Sequence, residues 1–77
     1  MAVEYTKHAL SRIRQRKISK TSVENILEHP DFSFVTRGGR LTALKRYGDK
    51  FLKVIYEKSN DKIRVVTVYW TRRMKTW

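Results

Sequence analysis

Apolar residues in the first part of the chain recur every three or four positions, which is the spacing of one face of an α-helix. Ala9, Leu10 and Ile13 follow this spacing and predict a helix over residues 7–17. Thr6 stands just before the run, and threonine is a residue type that commonly caps the N-terminus of a helix.

The same spacing returns after a short break, at Val23, Ile26 and Leu27. It predicts a second helix over residues 20–29, which Pro30 ends because the residue before a proline avoids the helical region. Ser19 is one candidate N-cap for this helix. The Thr21-x-x-Glu24 sequence is an alternative capping box.

From Phe32 onward the pattern changes to short runs rich in aromatic and β-branched residues, separated by turn signals. These runs predict four strands, over residues 32–36, 41–47, 51–57 and 63–72. The turns between them are expected at Gly38-Gly39, Gly48-Asp49 and Asn60-Asp61. Residues 3–5 are interpreted as a short extended lead-in.

Alternation along the last two strands predicts which side chains share a face of the sheet. Leu52, Val54 and Tyr56 fall on one face of the third strand. In the last strand, strict alternation puts three residues on one face: Val66, Val68 and Trp70. It puts four on the other: Ile63, Val65, Thr67 and Tyr69. Trp70, set among valines, is expected in the core.

These elements predict an α+β fold, with two N-terminal helices packed on one face of a four-stranded antiparallel sheet. Two short amphipathic helices cannot bury their apolar faces alone, so the sheet must cover them. The chain of 77 residues has room for one small domain, spanning 1–77. The opposite face of the sheet, or the cleft at its edge, is left for a ligand.

The charge of the chain indicates a protein that binds a polyanion. Eighteen Lys and Arg face seven Asp and Glu, a formal net charge of +11 at pH 7. The excess is uneven, because residues 21–36 contain acids but no Lys or Arg. Nucleic acid is the expected partner. A basic surface without such a partner and an acidic membrane are the alternatives.

Several kinds of chemistry find no support in the sequence. The chain has no cysteine, and its two histidines, His8 and His29, stand without the carboxylates of a metal site or a nucleophilic triad. Gly38-Gly39 fits a hairpin better than a phosphate-binding loop. No metal and no cofactor is therefore expected. The opening residues lack the apolar run of a signal peptide, and no stretch is long enough to span a membrane, so a cytoplasmic location is expected.

The pattern that is left is one of basic residues interleaved with aromatic residues, which is typical of an RNA-binding surface. The predicted contacts lie on the first hairpin, the last strand and the tail: Arg37, Arg40, Lys45, Arg46, Tyr47, Arg64, Tyr69, Arg72 and Arg73. Tyr47 and Tyr69, near strand ends, are open to either a stacking role or a place in the core.

His8, Arg12 and Arg16 recur every four residues and should form one cationic stripe on the first helix. These residues can cleave RNA without a metal: His8 would be the base that activates a 2′-hydroxyl, and Arg12 and Arg16 would hold the flanking phosphates. An imidazole suits this task because it titrates near neutral pH. The alternatives are a histidine that only packs or caps, and arginines that pair with Glu24 or Glu28.

The opening helix also resembles a family signature, through His8-Ala9-x-x-Arg12-x-x-x-Arg16-x-Ile18-Ser19. It looks like the motif of a domain-of-unknown-function family of small bacterial and archaeal proteins. Val23, Pro30 and the closing residues 65–69 match the rest of that pattern. Lys17 departs from it, because the family usually has glycine there, and a lysine must then make the bend between the helices.

That family is similar to the RelE-like and BrnT-like toxins of toxin–antitoxin systems. The resemblance implies a compact RelE-like toxin fold and metal-independent cleavage of RNA, in some members on the ribosome. It also implies neutralisation by a small acidic antitoxin protein. The sequence interpretation is therefore an RNA-binding toxin, an mRNA interferase. A non-catalytic nucleic-acid-binding module and a protein-docking domain with a basic face are the alternatives.

Overall fold

A computed structural model describes residues 2–36 and 38–72 of the chain. Two helices, α1 (Lys7–Arg16) and α2 (Lys20–Glu28), end one residue earlier than the periodicity predicts. The strands are β1 (Ala2–Tyr5), β2 (Phe32–Val35), β3 (Leu41–Tyr47), β4 (Lys50–Ser59) and β5 (Lys62–Thr71). The fold is therefore α+β, as the sequence predicts.

The sheet has five strands in the order β1-β5-β4-β3-β2, so the prediction of a four-stranded antiparallel sheet is wrong. The residues expected to be an extended lead-in form β1, which pairs in parallel with β5. β1 is only four residues long, too short for its alternation to distinguish it from extended coil. Its partner lies about sixty residues away, and this pairing gives Val3 and Tyr5 a place against the core.

Both helices begin at the caps that short polar side chains provide. The Thr6 hydroxyl accepts a hydrogen bond from the Ala9 backbone N–H at 3.0 Å, and Ser19 accepts one from Ser22 at 3.0 Å. Ser19, rather than the Thr21 capping box, is thus the N-cap of α2. The Thr6 hydroxyl also donates to the Val66 carbonyl at 3.0 Å, so the start of α1 is tied to β5.

A β-bulge in β5 overturns the predicted faces of that strand. Ile55 pairs with Thr67 but the next residue, Tyr56, pairs with Val65, so Val66 is the extra residue. Beyond it the alternation changes phase. Four side chains of β5 consequently contact the same core, which lies beneath the helices: Ile63, Val65, Val68 and Trp70. Thr67 and Tyr69 lie on the other face, with Ile55 and Lys53.

The core lies between the helices and the sheet. Ala9 and Ile13 of α1 and Val23 and Ile26 of α2 are buried against strand residues such as Val54. Burying each large aliphatic side chain contributes about 1.5–3 kcal/mol. α1 covers β5 and the edge strand β1, while α2 covers β3 and β4. The helices leave the other face of the sheet uncovered by any described helix.

A left-handed residue joins the two helices. Lys17 has φ 55° and ψ 41°, its N–H donates to the Arg14 carbonyl at 3.3 Å, and the Ile18 N–H donates to the Ile13 carbonyl at 2.9 Å. These two bonds and the burial of Ile13 and Ile18 make up a Schellman motif. Glycine is the residue that adopts this conformation most readily.

Replacing Lys17 with glycine is expected to raise the free energy of unfolding by about 1 kcal/mol, since it removes the steric penalty of a Cβ in the left-handed region. Urea denaturation followed by circular dichroism measures the change. Lys17→Ala is the control, because it removes the same charge and keeps the Cβ. A glycine variant no more stable than the alanine variant would refute this explanation.

Candidate nucleic-acid interface

The predicted catalytic stripe lies on the solvent side of α1. Thr6 fixes the start of the helix and Ala9 and Ile13 turn one side to the core, which leaves His8 and Arg16 exposed and Arg12 half-buried. The Arg12 Nε donates to the His8 Nε2 across 3.5 Å, the long limit of a hydrogen bond. An imidazole nitrogen can accept such a bond only where it carries no proton. Within the described residues, Arg12 thus contacts His8 rather than a carboxylate of α2.

His8 and Arg12 are arranged as a candidate general base beside a cation. The Nε2 lone pair that accepts from Arg12 is the one that would take a proton from a substrate. The contact is long and exposed, so an incoming hydroxyl can replace it at little energetic expense. Arg16, one turn further along the helix, has no described contact with His8 or Arg12.

The opposite face of the sheet, which we call the far face, carries a second group of cations and aromatic rings. Cross-strand pairing puts residues directly opposite one another on the same face. One row across the sheet contains Phe32, Leu44, Lys53 and Tyr69. The next row contains Arg46, Phe51 and Thr71, and the row on the other side contains Phe34, Thr42, Ile55 and Thr67.

On the far face, aromatic rings that solvent can reach lie beside a buried centre. Thr42 and Leu44 are buried, whereas Phe32 is 45% exposed. The Phe32 and Phe51 rings pack at 57° with their centroids 6.2 Å apart. The Lys53 ammonium lies 5.3 Å from the Tyr69 ring centroid, within the range of a cation–π interaction. A base can stack where such rings are exposed, and the adjacent ammonium can contact its phosphate.

Arg46 is held at one end of the far face. Its backbone N–H donates to a carboxylate oxygen of Asp31 at 2.8 Å, and its Nε donates to the Gly48 carbonyl at 2.9 Å. The guanidinium therefore keeps a defined position beside the turn between β3 and β4, and its other N–H groups have no partner among residues 2–36 and 38–72.

Arg40 and Arg64 lie at the other end of the far face, near an acidic residue. The Arg40 Nε is 3.5 Å from a carboxylate oxygen of Glu57, and both side chains are about half exposed. Arg64 lies opposite Glu57 in the pairing of β4 with β5. An exposed pair of this kind contributes at most about 1 kcal/mol, so a phosphate can compete for these arginines.

The far face thus brings together four of the predicted RNA contacts: Arg40, Arg46, Arg64 and Tyr69. Three others lie elsewhere in the structure. Lys45 points to the helix side, where its Nζ donates to the His29 carbonyl at 3.1 Å. Tyr47 packs edge-on against Trp70, with centroids 5.9 Å apart. Arg72 follows the end of β5, and Arg37 and Arg73 lie outside the described residues.

Sequence reasoning missed Phe32, Phe51 and Lys53 as members of this surface. Alternation alone says only that Phe51 and Lys53 share a face of their strand. The strand register and the bulge in β5 are what place Lys53 against Tyr69 and Phe51 against Arg46. The bulge, which shifts Tyr69 to the far face, has no signal in the sequence.

Residues 2–36 and 38–72 contain no group of three or more His, Cys, Asp or Glu side chains able to hold a metal ion. None of their helices is long and apolar enough to cross a membrane.

Comparison with known proteins identifies a family. The model of the family described as "Domain of unknown function (DUF4258)" matches residues 5–70, which include both helices, the end of β1 and the other four strands up to Trp70. No curated protein and no solved structure gives a significant match. The expected membership of a domain-of-unknown-function family is confirmed: the chain belongs to the DUF4258 family.

Proposed function

We propose that the protein binds RNA and cleaves it without a metal ion, as the toxin of a toxin–antitoxin pair in the cytoplasm. The observation that carries the proposal is the far face, where Arg40, Arg46, Lys53 and Arg64 lie with the exposed Phe32 ring and the half-buried Phe51 and Tyr69 rings, on a chain with a net charge of +11. In this proposal the two helices on a sheet are a RelE-like toxin fold, and the neutralising partner is a small acidic protein.

Physical chemistry favours a single-stranded ligand for this surface. Lys and Arg that neutralise phosphates release condensed counterions, which supplies affinity without sequence preference. Rings such as Tyr69 and Phe32 add stacking, which requires bases that are free of a duplex. In this proposal successive bases lie along the far face, with their phosphates at its cationic ends.

The chemistry proposed for cleavage uses the stripe on α1. His8 takes the proton from a 2′-hydroxyl, whose oxygen then attacks the adjacent phosphorus. The bond from phosphorus to the 5′-oxygen breaks, a cyclic 2′,3′-phosphate forms, and the leaving oxygen receives a proton from an acid. Arg12 and Arg16 stabilise the negative charge that accumulates on the phosphoryl oxygens.

The two parts of this proposal lie on opposite sides of the sheet. α1 packs on the core side of β5, whereas Lys53 and Tyr69 lie on the far face. The sheet, a layer of core side chains and the width of α1 separate them, since His8 lies on the solvent side of the helix. One RNA strand reaches both by passing around the sheet's edge. This separation is also the specific observation that favours the second candidate, a non-catalytic RNA-binding module.

The experiment for the proposed function is expression in a bacterial host together with an RNA assay in EDTA. A metal-independent ribonuclease toxin arrests growth and yields RNA products that EDTA does not prevent. Binding without products supports the non-catalytic module, and the absence of RNA binding at moderate salt refutes both. An adjacent reading frame for a small acidic protein would support the toxin assignment.

Lys53→Ala and Tyr69→Ala are expected to weaken binding of a single-stranded oligonucleotide in different ways. Losing Lys53 removes a phosphate contact, so the slope of log affinity against log salt should fall by about 0.7. Losing Tyr69 removes stacking of about 1–3 kcal/mol with little change in that slope. Fluorescence anisotropy across a salt series measures both effects.

Lys58→Ala is the matched control for the lysine, because Lys58 is an exposed lysine of the same strand that pairs with Ile63 on the helix side. Its affinity and salt slope should stay close to those of the wild type. If Lys58→Ala weakens binding as much as Lys53→Ala, lysines on either side of the sheet contribute equally to RNA affinity. The far face would then not be the interface.

A further inference from the structure

The strongest feature outside the proposed RNA interface is a groove between α2 and the start of the β1–β5 pair. Its volume is about 510 Å³. Its lining consists of Val3, Glu24, Leu27, Glu28, His29 and Ile63. Volumes between about 300 and 1,000 Å³ are typical of small-ligand sites. The groove therefore has ligand dimensions and a floor that is mainly aliphatic.

Glu24 and Glu28, the two acidic residues of the groove, are both exposed. Within residues 2–36 and 38–72, neither Glu24 nor Glu28 lies within ion-pair distance of a lysine or arginine. Lys20 is one turn before Glu24, yet its ammonium lies over the Tyr5 ring, 5.4 Å from the centroid. The Nε2 atom of His29 lies 3.9 Å from a carboxylate oxygen of Glu28, and this contact is an ion pair only when the imidazole is protonated. Both carboxylates are therefore accessible to a cationic ligand.

The spacing of the two carboxylates is also informative. Glu24 and Glu28 are four residues apart on α2, so they lie on one face of the helix with Leu27 beside them. Like charges at this spacing slightly destabilise an isolated helix. A ligand with two cationic ends would relieve that repulsion, and Val3 and Ile63 lie where the aliphatic middle of such a ligand would rest.

We propose that this groove binds a short aliphatic diamine, with Glu24 and Glu28 holding its ammonium groups and Val3, Leu27 and Ile63 contacting its methylene chain. A small ligand fits better than a basic protein segment. The segment would extend beyond the groove onto a body of charge +11, whereas a diamine stays within the acidic patch. This site is separate from the proposed RNA interface and does not depend on it.

The test is a titration of the full chain with cadaverine at constant ionic strength, followed by NMR of the methyl groups of Val3, Leu27 and Ile63. We expect saturable shifts confined to the groove. Glu24→Gln and Glu28→Gln should each weaken the affinity roughly two- to fivefold, as expected for an exposed ion pair, and the double variant more. Glu57→Gln, which removes a carboxylate outside the groove, should bind like the wild type.

Two further ligands distinguish the occupants. Pentanol carries the same methylene chain without charge, and acetyl-Lys-Leu-Lys-amide represents a basic protein segment. Pentanol that binds as tightly as cadaverine, a peptide that binds more tightly, or glutamine variants with unchanged affinity would each overturn the proposal. So would the absence of saturable shifts. Unchanged circular dichroism of the variants verifies that a loss of binding is not a loss of fold.

Discussion

His8→Ala is expected to lower the rate of RNA cleavage in EDTA by about two to four orders of magnitude, the usual contribution of a positioned general base. His8 is exposed on α1 and makes its described hydrogen bond to Arg12 alone, so its loss should leave the fold intact. RNA affinity should also be unchanged, because the proposed binding surface is the far face. Gel analysis of labelled RNA, with anisotropy for binding, measures the two quantities separately.

The chain offers matched controls for this experiment. His29 is also an exposed histidine, at the end of α2, and His29→Ala should cleave like the wild type. Arg14 is an exposed arginine of α1 outside the stripe, so Arg12→Ala should reduce cleavage and Arg14→Ala should not. Equal loss in the two histidine variants, or in the two arginine variants, would contradict a specific role for the stripe.

Ile26→Ala is expected to lower the free energy of unfolding by about 2–5 kcal/mol, because a fully buried isoleucine leaves a cavity when it is truncated. A core of this size supplies only about 3–5 kcal/mol. The variant should therefore be largely unfolded at low ionic strength, where the net charge of +11 adds self-repulsion. Urea denaturation by circular dichroism, at low and high salt, measures the effect.

Leu27→Ala is the control on the same helix. Leu27 is only partly buried and lines the groove, so its truncation should reduce stability much less than that of its neighbour. Added salt should restore part of the structure of Ile26→Ala by screening the cations. An Ile26 variant as stable as the Leu27 variant would mean that α2 does not hold the core together.

The local elements could be predicted because their signals lie within a few residues. Thr6 and Ser19 cap the helices through hydroxyls that reach N–H groups three residues away. Turn residues such as Gly48 and Asn60, both with positive φ, lie where the hairpins bend. Strand β3 has the bounds that its pattern predicts, and the helices differ by one residue.

The candidate site was predictable only as a list of residue types. Charge and aromatic content predict an RNA-binding surface, but they cannot tell which face of the sheet each side chain occupies. The list therefore mixed far-face residues such as Arg46 and Tyr69 with Lys45 and Tyr47, which lie on the helix side. It omitted Lys53, whose partner Tyr69 comes from another strand.

The two helices, the hairpin strands, the α+β class and the large positive charge are predictable without a structure, because each depends on local periodicity or on composition. The tertiary structure was needed to show that residues 2–5 form a fifth strand, that Val66 bulges and that Arg46, Lys53 and Arg64 share the far face. Those outcomes depend on pairing between distant segments, in which one extra residue reverses the face of every side chain that follows.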